Sequence, residues 1–453
     1  MPWTTEITHP FASALHVRRH RLHNGLGLVV LADAGAPIVS YQTWYAVGSR
    51  HESPGQTGMA HLFEHLMFGQ TRTRPAGEFD RTIERTGGDS NAATWVDWTY
   101  YRDSVPARDL ALVIALESDR MVNLALEPAV LEAEREVVAN ERMQRVDDEV
   151  EGFADEELSR LAYTIHPYGW PTIGWMEDIR SMGMADVQRF YETYYAPNNA
   201  TLVVVGDVDE VRLLELVERH YGDIAPAELP AEKRVVEPAQ ESERRRRFAK
   251  PTPAPRLLRG YRAVDQAHAD WPALSFVASL LSSGPSSRLH RRLVIEREIS
   301  LGADCDVGPQ RDPGLFRIAT QLTREHQAEE AEAEIDAVLA DLAERRVDDA
   351  ELEKVRSVVE TDYWGELEGV DGRAEALGHY QTTLGDFRKL FEVAERLSQV
   401  TAEDVQHAVR TYLIAERRCS ILIDPEGDDG GGVRDDDPSD DGDDGHAAAR
   451  DDQ

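Results

Sequence analysis

Gly58-Met-Ala-His61-Leu-Phe-Glu64-His65-Leu-Met-Phe-Gly69 is the stretch on which the reading of this chain turns. Neither proline nor glycine interrupts it between Met59 and Phe68, and Leu62, Phe63, Leu66 and Met67 give it apolar faces, so the pattern predicts a buried helix. Residues four apart on a helix lie on one side with Cβ atoms about 6 Å apart, which lets His61 and His65 reach one tetrahedral zinc ion. Glu64 sits beside the second histidine and off that pair. A carboxylate there is placed to take a proton from a water held by the metal. With 15 histidines among 453 residues, chance produces this five-residue pattern in roughly one such chain in twenty. The motif therefore needs a third ligand.

A catalytic zinc takes three protein ligands and keeps one position open. Downstream, Leu126 to Gln144 reads as a helix whose first turn accepts Pro128. Glu134, Val137, Val138 and Glu141 fall at i, i+3, i+4 and i+7, so one face carries two carboxylates with valines between them. Glu132, Glu136 and Glu149 are explained as solvated helix charge, which is the default for any single glutamate on so acidic a chain.

These residues carry a resemblance to the pitrilysin and insulin-degrading-enzyme family, and most to its shorter two-domain members related to the mitochondrial processing peptidases. The similar text runs through Asn24–Val30, Tyr45–Ser49, Gly58–Gly69, Gly87–Thr94, His166–Gly169 and Tyr195–Gly206, with a weaker match at Gly284–Leu289. The resemblance implies that His61, His65 and Glu141 are metal ligands, Glu64 the general base and Glu134 a supporting carboxylate behind them. It implies an α+β fold of two similar domains, each a mainly antiparallel sheet packed with helices, facing across a chamber. It also implies that the strand at Asn91 and Ala92 is a sheet edge that accepts peptide substrate by strand addition near the scissile bond. Read without it, Trp95, Trp98 and Tyr100 on the same strand, expected to run from Asn91 to Tyr101, are core residues.

The length predicts two or three domains. The expected division is 1–228 for the metal-binding domain, 229–255 for an extended linker rich in Pro, Glu and Arg, 256–425 for a similar domain without metal, and 426–453 for a disordered acidic tail. Net charge is −35, and Lys233, Lys250, Lys354 and Lys389 are the only lysines among 49 basic residues. Such a surface repels phosphate backbones, so nucleic-acid binding is disfavoured. The run Arg244 to Arg247 is expected to pair with nearby acids or stay solvated. No apolar run is long enough to span a membrane and the N-terminal text does not read as a signal peptide, so a cytoplasmic location is expected. Cys305 and Cys419 are expected to be small packing residues.

One departure from the family pattern bears on partners. Members that act alone carry an Arg and, seven residues on, a Tyr after the Ser-Arg-Leu segment; the ungapped places here are Val294 and Leu301, and a shift of three gives Arg297 with Asp304. The expectation is a zinc endopeptidase acting on peptides or unfolded segments, with the Arg/Tyr pair brought by a homologous subunit, or a homodimer. The alternatives are a catalytically inactive structural subunit of a peptidase-like complex and a zinc-dependent scaffold.

Overall fold

In a computed structural model the chain is described from residue 2 to residue 426, apart from residues 13 and 233. The acidic tail expected at 426–453 lies outside the described residues but for Glu426.

The first half begins with four strands, β1 (Trp3–Ala12), β2 (Leu15–Leu22), β3 (Gly27–Ala32) and β4 (Ile38–Tyr45). Helices α1 (Met59–Leu66) and α2 (Glu78–Thr86) follow, then strands β5 (Asp89–Thr94) and β6 (Thr99–Pro106). Next come α3 (Leu110–Asn123), α4 (Pro128–Arg142), α5 (Val150–Ala162), α6 (Met176–Ser181), α7 (Met184–Tyr194), β7 (Ala200–Gly206) and α8 (Glu210–Tyr221). The second half contains β8 (Arg244–Lys250), β9 (Arg256–Arg262), α9 (Trp271–Ser282), β10 (Ser300–Val307) and β11 (Leu315–Leu322). It closes with α10 (Ala328–Glu344), α11 (Asp349–Gly365), α12 (Val370–Leu384), α13 (Lys389–Gln399), α14 (Ala402–Tyr412) and β12 (Arg418–Pro425).

The two halves share one strand plan. The first sheet runs β1-β2-β3-β7-β4-β6-β5, and the second, taken from its charged edge, runs β8-β12-β9-β11-β10. In each sheet one parallel pair, β3 with β7 and β8 with β12, is followed by antiparallel neighbours. The fold is thus α+β, two mostly antiparallel sheets packed with helices, and the N-terminal β1-β2 hairpin is an addition confined to the first.

Two expectations need correction. The strand expected from Asn91 to Tyr101 is a hairpin, because the chain turns at Trp95 to Trp98, where Trp95 N–H donates to the Trp98 carbonyl at 2.8 Å. The segment assigned to a linker contains β8, whose seven residues Arg244–Lys250 pair in parallel with β12. Side chains alternate across a strand: Arg246 meets Glu157 of α5 at 2.9 Å, whereas Arg245 turns to Glu332 at 2.8 Å. Charge therefore marks an edge strand rather than a linker. Between α9 and β10 the chain makes a short π-helical turn, His290–Glu296.

Each half also lends a helix to the other. Helix α5 packs on β8, β9 and β12, and α12 packs on β4 and β7. Gly378 makes the second contact possible, since a Cβ there would lie 2.2 Å from Trp44 Nε1. A buried ion pair bridges the same boundary, Arg50 with Asp312 at 2.8 Å, and Asp97, itself paired with Arg50 at 3.2 Å within the first half, accepts the Arg311 N–H at 3.0 Å.

Glu237, within the segment expected to be a linker, ties the chain to the first half. Its carboxylate accepts the backbone N–H groups of Thr164, Ile165 and His166 at 2.7, 2.9 and 2.8 Å. Burial alone would raise this carboxyl, but these donors and the Thr164 hydroxyl outweigh it and hold it down at about 2, against an ordinary 4.5. A depressed carboxyl stabilises the fold above pH 4.5, and that contribution drains away as the pH falls from there towards 2. Glu237→Gln is expected to cost on the order of 3 kcal/mol at pH 7 and almost nothing at pH 2. Urea unfolding midpoints of both proteins at several pH values check this.

Candidate metal centre

Helix α1 starts at Gly58, which adopts a left-handed conformation (φ 90°) close against the Ile173 carbonyl, where any side chain would be strained. The first-turn N–H groups have no partner within the helix. Here Glu52 supplies one, accepting from Gly58 N–H and Ala60 N–H at 2.8 Å each. Burial pushes the Glu52 carboxyl up to about 8 even against these donors. Glu52→Ala is expected to cost about 2 kcal/mol by orphaning both groups, read as a lower unfolding midpoint with faster amide exchange at Ala60.

The buried face of α1 anchors it. Leu62, Phe63, Leu66 and Met67 are enclosed, and the Phe63 ring stacks on Phe190 and Tyr191. The Tyr101 hydroxyl donates to the Phe63 carbonyl at 3.2 Å. With the helix pinned in this way, His61, Glu64 and His65 occupy its half-buried side toward α4 and β5.

The two expected carboxylates meet the histidines differently. Glu141 Oε2 lies 3.6 Å from His61 Nε2 and 3.3 Å from His65 Nε2, while Glu134 Oε2 approaches His65 from behind, 3.7 Å from Nδ1. Donors about 2.05 Å from a tetrahedral zinc stand about 3.3 Å apart. One ligand atom from each of His61, His65 and Glu141 lies within 4.8 Å of the others. Glu141 Oε2 is buried without a hydrogen-bond partner, despite its nearness to two ring nitrogens. One divalent cation between the three atoms would satisfy all of them, so the residues fit zinc, with Glu134 fixing the far nitrogen of His65.

The electrostatics agree with that division. Burial pushes His61 down to about 4 against the pull of Glu141, leaving it neutral near pH 7. Glu134 and Glu141 hold His65 up at about 9. Burial raises the Glu64 carboxyl, opposed by the Thr94 hydroxyl and by His65. A carboxyl so raised is a better proton acceptor.

The face of α4 is not as the spacing implied. Val138 is fully buried, but Val137 is 48% exposed. Directly after α4 the chain makes a π-helical turn, Met143–Asp147, and its Arg145 Nε lies 3.1 Å from Glu141 Oε1. Sequence reasoning missed Arg145, Thr94 and Glu52; the i+4 spacing of Arg145 from Glu141 was the only local signal for any of them. Asn91 and Ala92 lie on β5, an edge of the first sheet that, among the described residues, pairs only with β6. Asn91 Oδ1 accepts the Ala92 N–H at 2.9 Å, so the strand closes part of its own open edge. Val294 and Leu301 lie in the second half, on the π-helical turn and on edge strand β10, and Arg297 is paired with Glu334 at 2.7 Å.

Residues 28–174 match the family described as Insulinase (Peptidase family M16), and residues 181–359 match the Peptidase M16 inactive domain. The chain is 30% identical to the zinc protease PqqE of Helicobacter pylori over 89% of its own length and 92% of that protein. It is 24% identical to the mitochondrial-processing peptidase subunit beta of Blastocladiella emersonii, covering 89% and 88% of the two chains. The crystal structure of a protease from Helicobacter pylori superposes with a TM-score of 0.87 at 29% identity, covering 90% of this chain and 99% of that one.

Proposed function

The chain belongs to the M16 peptidase family, and from that premise we propose that it is a zinc endopeptidase acting on peptides or unfolded segments. The convergence of His61 Nε2, His65 Nε2 and Glu141 Oε2 supports this reading more than any other single observation. These three residues would hold the ion. When bound, zinc supplies Lewis acidity, polarising the scissile carbonyl and making water easier to deprotonate.

The chain's own residues do the rest. The open edge of β5 takes the peptide by backbone hydrogen bonds, the Asn91 side chain yielding the Ala92 N–H, which gives affinity with little demand on side chains. Glu64, raised by burial, takes a proton from the attacking water on its carboxylate and passes it to the leaving amine. Glu134 orients His65 through Nδ1. With Val294 and Leu301 at the places of the Arg/Tyr pair, a homologous subunit that carries the pair brings donors for the developing oxyanion, worth about 3 kcal/mol; a homodimer would have to supply such donors from other residues. A cytoplasmic location belongs to the same proposal, and cell fractionation tests it.

The test is a mass-spectrometric digest of a peptide library by the zinc-loaded chain, alone and mixed with a homologous chain that carries the Arg/Tyr pair. Weak cleavage alone and strong cleavage in the mixture is expected. Full turnover alone removes the need for a second subunit, and no cleavage in either case favours an inactive structural subunit.

A further inference from the structure

A cavity of about 760 Å³ lies between the two halves, across the first sheet from α1. Alternation along β4 separates the two sides: Tyr41 and Tyr45 face the core around α1, whereas Trp44 faces the cavity. Four of the eight tryptophans line it, namely Trp44, Trp95 and Trp98 in the β5-β6 turn, and Trp271 opening α9. The Trp44 and Trp98 rings meet edge to face at 5.0 Å.

Asp306, Asp362, Glu366 and Glu375 stand exposed around this aromatic interior, and its lining, among the described residues, holds no Lys or Arg. Burial together with the charges of Glu375 and Asp362 raises the Glu366 carboxyl. The remaining titratable nitrogen, His379, is pushed down to about 4 by burial and carries no charge near pH 7. Inside, the Ser279 hydroxyl has no hydrogen-bond partner although the residue is only 8% exposed, and the Trp98 indole N–H is likewise buried and unpaired.

We propose that this cavity binds an organic cation of the guanidinium or alkylammonium class, at a site separate from the metal centre. Aromatic faces attract such cations more strongly as water is excluded. Asp306 is held by Arg317 at 3.0 Å, but Asp362, Glu366 and Glu375 have no ion-pair partner among the described residues, and this part of the acidic rim draws such cations in. Ser279 Oγ accepts an N–H of the ligand, and the Trp98 N–H donates to an acceptor such as an amide carbonyl. The ligand is either a free amine or the basic side chain of a peptide, and both share this chemistry.

Tryptophan fluorescence of the whole chain, titrated with N-acetyl-arginine amide, agmatine and the neutral N-acetyl-citrulline amide, tests the proposal without reference to hydrolysis, so a failure here leaves the peptidase reading untouched. A saturable change is expected with the cations and not with the citrulline derivative. Tighter saturation by N-acetyl-arginine amide indicates a peptide side chain; tighter saturation by agmatine indicates a free amine. The double variant Glu366→Gln, Glu375→Gln changes only exposed groups, so it is expected to fold, and its affinity is expected to fall about tenfold. Trp98→Phe, which keeps a ring and loses the N–H, is expected to weaken N-acetyl-arginine amide more than agmatine. No saturation at millimolar concentration, an equal response to the citrulline derivative, or an unchanged Kd in the double variant overturns the proposal.

Discussion

Glu64→Gln is expected to remove essentially all peptide hydrolysis, a loss of about 10³-fold or more, while zinc content stays near one equivalent. The side chain keeps its size and its place beside Thr94, so α1 and both histidines are undisturbed. What disappears is the carboxylate of α1 itself, which neither faces both histidines, as Glu141 does, nor stands behind His65, as Glu134 does. Glutamine cannot accept a proton at neutral pH, so neither the deprotonation of water nor the transfer to the leaving amine has a carrier. Single-turnover cleavage of a fluorogenic peptide, run beside metal analysis of the same sample, checks this. Loss of zinc in the variant would assign Glu64 to the ligand set, and retained turnover would remove it from the chemistry.

Glu141→Gln is expected to lower zinc affinity by more than about a hundredfold, and Glu134→Gln by about tenfold to a hundredfold. The difference follows from geometry: Glu141 Oε2 is shared between two ring nitrogens at 3.6 and 3.3 Å, whereas Glu134 touches His65 alone. The first change withdraws a charged ligand atom. The second withdraws only the acceptor that holds one imidazole in its tautomer. Competition against a chromophoric chelator reads both affinities, and far-ultraviolet circular dichroism confirms that α4 persists. Equal affinities in the two variants would overturn the assignment of the third ligand.

Much of this site was legible because its spacing is local. His61 and His65 share a helix face whatever surrounds them, and the helix bounds of α3 and α9 coincide with the apolar periodicity of Leu110–Asn123 and Trp271–Ser282. The Glu141 assignment needed the family resemblance, since the i, i+7 spacing from Glu134 singles out a pair of carboxylates and not which of them meets both rings. Glu52 was not legible at all. A carboxylate in a loop becomes a helix cap only when the loop folds back over the first turn, and nothing in its neighbours announces that.

Strands fared worse than helices for the same reason. Arg244–Lys250 reads as a charged linker because a strand is defined by its partner, and β12 lies about 170 residues further along the chain. By itself the sequence determined which side chains share a helical face, because the 3.6-residue repeat needs only near neighbours. Tertiary structure alone decided which carboxylate faces both imidazoles, which half covers which sheet, and that four tryptophans enclose one cavity. Those outcomes depend on packing between segments far apart in the chain, where burial of apolar area rather than local spacing sets the geometry.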